Sequence, residues 1–236
     1  MLNDKNTKVK SLWRYPVKSL LGEELQEIRV DLRGFEGDRE FAVVNTQGRL
    51  GSGKNTRRFV QIDNLLSLSS RKEGNQFVVE LPSGGSLPVL SRPLDDQLSE
   101  YLGQKVTVER ESKVPHFDDG SMHIITTGGL SSLEKMIPKG QVDERRFRPN
   151  IVLDADFDDN QLLGKTIEVG SVRLEVTDKM RRCRMVTLEQ RELLHAPEIL
   201  KAITITGAVN FGVYARVISP GVICRQSKIR IVEGGN

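Results

Sequence analysis

Segment 178–187 sets one cysteine, Cys183, among four cations, Lys179, Arg181, Arg182 and Arg184. Nearby positive charge favours thiolate over thiol, and a thiolate attacks electrophiles and binds soft metals. The plain alternative is a small half-buried residue flanked by solvated arginines, since unpaired cysteines usually serve packing. Cys224 follows Val222-Ile223 on a predicted strand, where apolar burial disfavours the thiolate. The two cysteines form no zinc spacing, no iron–sulfur set and no disulfide framework, which fits a reducing compartment.

Other cations fall at predicted strand ends. Lys18-Ser19 follows Pro16, Arg39 follows Gly37-Asp38, and Arg145, Arg146 and Arg148 precede Pro149-Asn150. Guanidinium forks match phosphate oxygens with paired hydrogen bonds, and lysine adds a point charge. Each alone reads as a surface charge; together with Cys183 they suggest an anionic ligand beside a thiolate. Gly48-Arg49-Leu50-Gly51-Ser52-Gly53-Lys54-Asn55 approaches a phosphate loop, but Asn55 stands where Mg²⁺ needs Ser or Thr and no helix follows. The favoured reading there is a solvated hairpin tip carrying Lys54, Arg57 and Arg58. His116, His123 and His195 lack metal-ligand spacing, and His123 reads as packed or capping. Asp118-Asp119 and residues 156–159 read as loop carboxylates.

The elements that must position these groups are mostly short strands. Alternation predicts strands over 9–15, over Ile28, Val30 and Leu32, over 40–45, and over Phe77, Val79 and Leu81, the last turning at Ser83-Gly84-Gly85-Ser86. Val106 and Val108, residues 123–126 and 150–153, the hairpin 165–177 about Gly170-Ser171, Phe211 to Val217, and Ile229 to Ile231 complete the set. Leu94, Leu98, Tyr101 and Leu102 share a helical face that Gly103 closes. A helix follows Gly128-Gly129 and stops at Pro138, and a short one runs from Pro197 through Leu200. Residues 111–120 read as a loop or seam. The fold class is mainly β with a few helices (α+β), β-barrel-like rather than a parallel α/β sheet.

Net charge is +3 and the sequence pI is about 8.9, too mildly basic to imply nucleic acid. The N-terminus is polar rather than a secretory signal, and no apolar run approaches the roughly 20 residues that span a bilayer. No membrane association and a cytoplasmic location are expected.

Tyr15-Pro16-Val17-Lys18-Ser19, Gly37-Asp38-Arg39, Phe147-Arg148-Pro149-Asn150-Ile151-Val152, Arg182-Cys183, Phe211-Gly212 and Pro220-Gly221, in that order, resemble the MOSC family. The family is named after the C-terminal domain of molybdenum-cofactor sulfurase and includes the amidoxime-reducing component and its bacterial relatives. The resemblance covers nearly the whole chain. It implies an N-terminal MOSC β-barrel-like domain over residues 1–113 and a MOSC-type β-barrel over 114–236. It also implies molybdenum cofactor (Mo-molybdopterin), with the metal on Cys183 as the catalytic ligand. Lys18, Ser19, Arg39, Arg148 and Asn150 would hold the pterin and its phosphate, and a loop over 119–121, with Asp119 and Ser121, would touch it. Two positions depart from the family pattern. Arg181 stands where a small polar residue is common, and Arg184 where an apolar one is.

The activity so implied is reduction of N-hydroxylated or N-oxygenated small molecules. A C-terminal ferredoxin domain seen in some relatives is not part of this sequence. Electrons are therefore expected from an external donor protein of ferredoxin or flavin-reductase type. The rivals are a sulfur carrier bearing a persulfide on Cys183 and a non-enzymatic anion-binding domain.

Overall fold

In a computed structural model, which describes residues 4–137, 142–205 and 209–234, the chain is mainly β with three α-helices among those residues. The largest sheet has eight strands, in the spatial order Arg230–Glu233, Lys165–Val169, Val172–Arg181, Asn210–Ser219, Met122–Thr126, Ile151–Asp154, Lys8–Arg14 and Glu23–Leu25. Its one parallel pair joins Met122–Thr126 to Ile151–Asp154. A parallel pair needs a crossover, and the helix α2 (Thr127–Glu134) lies in it, capped by the Thr126 hydroxyl accepting from Gly129 N at 2.9 Å. Register shifts interrupt Val172–Arg181 three times, the last between Lys179 and Arg181. Bulges bend and twist a strand and re-aim its end; here the end delivers Cys183.

A second sheet joins Val106–Arg110, Phe41–Asn45, Leu50–Ser52 and Phe59–Gln61, with Val17–Lys18 parallel to the start of Phe41–Asn45. Helix α1 (Arg92–Tyr101) buries Leu94 and Leu98 against it, and Gly103 ends the turn at φ 64°. Helix α3 (Pro197–Ile205) runs five residues beyond the expected Leu200, because Ala202 and Ile203 are buried against α2, Phe147 and Val186. Among the described residues no helix is long and apolar enough to cross a membrane.

Some expectations are corrected. Leu32 does not continue the Ile28–Val30 face and is 70% exposed. The Asp31 carboxylate accepts from Arg33 N and Gly34 N, and this side-chain turn stops the strand first. Gly128 and Gly129 lie inside the first turn of α2, where a Cβ would meet Phe157 O at 2.4 Å and the Asp159 carboxylate at 2.8 Å. The helix ends at Glu134; Pro138 lies outside the described residues.

The cores do not divide at residues 113 and 114. Val9, Leu12, Ile28, Val30 and Phe35 pack in one cluster with Met122, Ile124, Ile151 and Val213. The strand Gly221–Cys224 pairs with Glu27–Asp31. The cluster around Val17, Leu20, Phe41, Leu94 and Val108 and the small one of Ala42, Val44, Leu50 and Phe59 belong wholly to the N-terminal part. The strands Lys8–Arg14 and Glu27–Asp31, with Phe35, therefore complete the C-terminal core, while Val17 and Leu20 between them belong to the second sheet's core. Residues 114–236 made alone should bind a hydrophobic dye and unfold without a cooperative transition. In the whole chain, Phe35→Ala should cost about 3–5 kcal/mol in denaturant titration. Cooperative unfolding of the 114–236 fragment would contradict this view of the core.

Candidate functional site

A cavity of about 510 Å³ opens where the two sheets meet. Lys18, Ser19, Arg39, Asp119, Arg148, Asn150 and Cys183 all line it. Ser121 does not line it and instead stands against Gly34. Ser52, Lys54 and Thr56 do line it, so the glycine-rich segment is part of the wall rather than a solvated tip. The packing explains this: Gly53 lies so close to Met185 that a Cβ would meet its sulfur at 2.3 Å.

Lys18 is held by the parallel pairing of Val17–Lys18 with Phe41 and Ala42. Its ammonium donates to Asp118 Oδ1 at 2.6 Å and lies 4.8 Å from the Phe59 ring centre. Burial is the largest influence on Lys18 and pushes its pKa down to about 8, against the pull of Asp118. Burial also opposes the charge of Asp118, but Lys18 and Lys54 together outweigh it and hold that carboxyl down at about 2. Asp118 is thus an ion-pair partner rather than a loop carboxylate.

Beside this pair, one ring serves two guanidiniums. Arg148 Cζ lies 4.3 Å and Arg39 Cζ 4.9 Å from the Tyr15 centre. Such contacts partly replace lost hydration of a cation. Arg39 pairs with buried Asp38 and donates to Arg148 O at 3.1 Å. Arg148 donates to Leu20 O through one nitrogen, while its buried Nη2 has no hydrogen-bond partner among the described residues. Burial, then Arg39, pushes Arg148 down to about 10. Burial pushes the Tyr15 phenol upward, and its hydroxyl also lacks a partner. Ser19, Arg39 and Arg148 have φ of 65°, 51° and 53°, a left-handed conformation unusual for residues other than glycine. Asn150 joins backbone and site: Oδ1 accepts from His123 N at 3.0 Å and from Arg39 Nη1 at 3.4 Å, and Nδ2 donates to Trp13 O at 3.3 Å.

Cys183 is half-buried, just past Val172–Arg181 and before the one-turn helix Arg184–Thr187. The four neighbouring cations do not behave alike. Lys179, Arg181 and Arg184 are exposed, whereas Arg182 is 6% exposed and turned inward. It donates to Phe211 O at 2.7 Å, Phe147 O at 3.0 Å and His123 Nε2 at 2.5 Å. Burial pushes Arg182 down to about 10. Burial, then Arg182, holds His123 well below the usual histidine range, so the ring is neutral. Accepting at Nε2 puts its proton on Nδ1, 3.3 Å from Arg148 O. His123 therefore links the Arg148 turn to the Cys183 turn, which its position on a strand did not disclose.

Two further corrections follow. Cys224 is exposed, with Sγ 3.8 Å from Glu27 Oε2, because Ile223 takes the inward position of its strand. Asp159 is 3% exposed, not a loop carboxylate. It accepts from Thr126 N at 2.5 Å, Thr126 Oγ1 at 2.8 Å and Gly212 N at 3.0 Å, and burial pushes it up to about 6.

Lys18 makes anion binding pH-dependent. Burial lets it lose its proton through about pH 8, and a bound anion favours the charged form. Sulfate, whose own charge is constant there, should bind up to about tenfold more weakly for each pH unit above that value. Calorimetry at pH 7, 8 and 9 should show the decline, and Lys18→Gln should flatten it. An unchanged slope in that variant would assign the titration to another group.

Residues 99–230 match the family model described as the MOSC domain, and residues 6–116 match the MOSC N-terminal beta barrel domain. The chain is 25% identical over 235 residues to a molybdenum cofactor sulfurase of Caenorhabditis elegans, a match covering 88% of this chain and 33% of that protein. It is 26% identical over 126 residues to the molybdenum cofactor sulfurase of Drosophila erecta, covering 52% of this chain and 16% of the relative. The chain thus spans about a third or less of the length of these curated relatives. The crystal structure of the YuaD protein from Bacillus subtilis superposes with a TM-score of 0.57 over 98% of each chain at 13% identity, a likeness of fold. With more than half of its length inside the MOSC domain match and its N-terminal strands inside the barrel model, the chain belongs to the MOSC family.

Proposed function

We propose that the chain binds molybdenum cofactor in this cavity and reduces N-hydroxylated or N-oxygenated small molecules with electrons from a separate donor protein. The carrying observation is the Arg148 guanidinium. It is buried with Nη2 unpartnered, and it lines the same cavity as the Cys183 thiol. Leaving a buried donor unsatisfied costs about 1–3 kcal/mol, and a phosphate oxygen would satisfy it.

The donor set fits the group. Lys18, Arg39 and Arg148 offer charge to a phosphate, and Cys183 offers a soft ligand to a metal. Among the described residues no three His, Cys, Asp or Glu side chains cluster to hold a metal ion. A metal at Cys183 must then bring its other ligands, as a pterin dithiolene does. When bound, the cofactor supplies two-electron exchange of an oxygen atom with the substrate. The protein's own residues do the rest. Arg39 and Arg148 fix the anionic end, Tyr15 keeps both guanidiniums in place, and Phe147, Met180, Met185 and Val186 line the cavity near the thiol and limit water.

A second reading, sulfur carriage on Cys183, is favoured by the half-exposed thiol and by relatives named molybdenum cofactor sulfurases. Persulfide mass spectrometry of Cys183 distinguishes it.

Arg148→Ala removes a charged hydrogen-bonding fork, a loss of about 1.5–3 kcal/mol, so pterin retention on gel filtration should fall roughly tenfold or more. Cys183→Ser should keep pterin and lose most molybdenum, together with viologen-driven N-hydroxy reduction. NADH without a donor protein should support no turnover. Full metal and pterin content in both variants would overturn the assignment.

A further inference from the structure

We infer that the mouth of the cavity selects substrates that carry a negative charge, with Arg181 and Arg184 as its specificity-determining residues. The inference rests on the reading of the cavity as the reaction site and names the substrate class within it. The cations that line this cavity fall into two groups. Lys18, Arg146 and Arg182 are buried, Arg39 and Arg148 are half-buried, Lys54 is paired with Asp118, and all six are held by fixed partners. Arg181 also lines the cavity but is exposed, and among the described residues no carboxylate lies within ion-pair distance of it. Arg184 is not part of the lining; it follows the thiol directly in the chain and is exposed too. Its Nη1 donates at 3.3 Å to the neutral amide oxygen of Gln61, so its charge is positioned without being neutralised.

The carboxylates in reach do not cancel this charge. Asp118 is shared between Lys18 and Lys54. Asp119 lines the cavity as an opposing charge, and Asp63 accepts from Gln61 Nε2 at 2.9 Å, so it meets Arg184 only through that amide. Residues 181 and 184 bracket the thiol. Guanidinium forks recognise carboxylate and phosphate, and a mouth of one sign raises the local concentration of oppositely charged molecules. The favoured substrates are thus N-hydroxylated compounds bearing a carboxylate or phosphate, and cationic ones are disfavoured.

The test uses cofactor-free protein, labelled in parallel with iodoacetate, an anion, and iodoacetamide, its neutral analogue, and read by peptide mass spectrometry. The ratio of the two rates cancels the fraction of thiolate and reports the local field. Cys224, beside Glu27, is the reference within the same molecule. At low salt the iodoacetate-to-iodoacetamide ratio at Cys183 should exceed that at Cys224 about tenfold, and about 0.5 M NaCl should reduce the excess several-fold. The double variant Arg181→Glu/Arg184→Glu should bring the two cysteines to similar ratios, while Arg181→Lys/Arg184→Lys should keep most of the excess. Equal ratios in the unmodified chain overturn the inference. So does a full excess in the double Glu variant, which would assign the field to the buried cations. In cofactor-loaded protein, kcat/KM for a carboxylated benzohydroxamate should exceed that for the uncharged parent and converge with it as salt is added. If neither compound is reduced while the labelling excess behaves as stated, the reductase reading fails and charge selection at the mouth stands.

Discussion

The Arg148 guanidinium is buried against Tyr15, 4.3 Å from the ring centre, and shares that ring with Arg39. An unpaired charge removed from water carries a penalty of several kcal/mol. The surrounding structure answers it in small pieces. Leu20 O accepts from Arg148, Asp38 pairs with Arg39, and the Tyr15 ring faces both. None of these is a carboxylate paired with Arg148 itself, and Nη2 stays unsatisfied. The wall is therefore more positive than its own partners can balance, which is a reason for an anion to bind and a reason for the fold to hold the wall tightly.

That tightness comes from the way the chain is threaded. Lys8–Arg14 pairs with Ile151–Asp154, so the strand leading to Tyr15 runs beside the strand that follows Arg148 and Asn150. Asn150 then ties Trp13 O and His123 N together with one amide. Ser19, Arg39 and Arg148, each at positive φ, sit at the ends of these paired segments. A left-handed conformation is unfavourable for residues with a side chain and persists where neighbouring structure determines it. A division into two independent domains would remove those neighbours, because Val9, Leu12 and Phe35 lie in the C-terminal core.

The strands were largely legible because alternation is a local signal, and Ile167, Val169, Val172, Leu174 and Val176 are buried as the pattern requires. The grouping of Lys18, Arg39, Arg148 and Cys183 was legible only through the order of short motifs, since no periodicity brings residues so distant in sequence together. Three features left no local trace. Arg182 carries the same side chain as exposed Arg181 and Arg184, and only the carbonyls of Phe147 and Phe211 make it inward. Asp159 looked like its loop neighbours, and only Thr126 and Gly212 bury it. The apolar neighbours of Cys224 suggest burial, whereas strand alternation gives Ile223 the core side and leaves Cys224 outside.

Asp159 also shows how the position of the thiol is set from the core rather than from the cavity. Its carboxylate accepts from Thr126 at the start of α2 and from Gly212 in Asn210–Ser219. Gly212 has φ 79°, and a Cβ there would meet His123 Nε2 at 2.4 Å, so only glycine lets strand and imidazole approach this closely. The preceding carbonyl, Phe211 O, takes the Nε proton of Arg182, and His123 Nε2 takes another from the same guanidinium. A neutral imidazole is required for that second bond, and burial beside Arg182 keeps it neutral. One buried carboxylate, one glycine and one histidine thus fix the arginine immediately before Cys183. The thiol is held at the wall by its neighbour's commitment to the core, which leaves Arg181 and Arg184 on either side to face solvent.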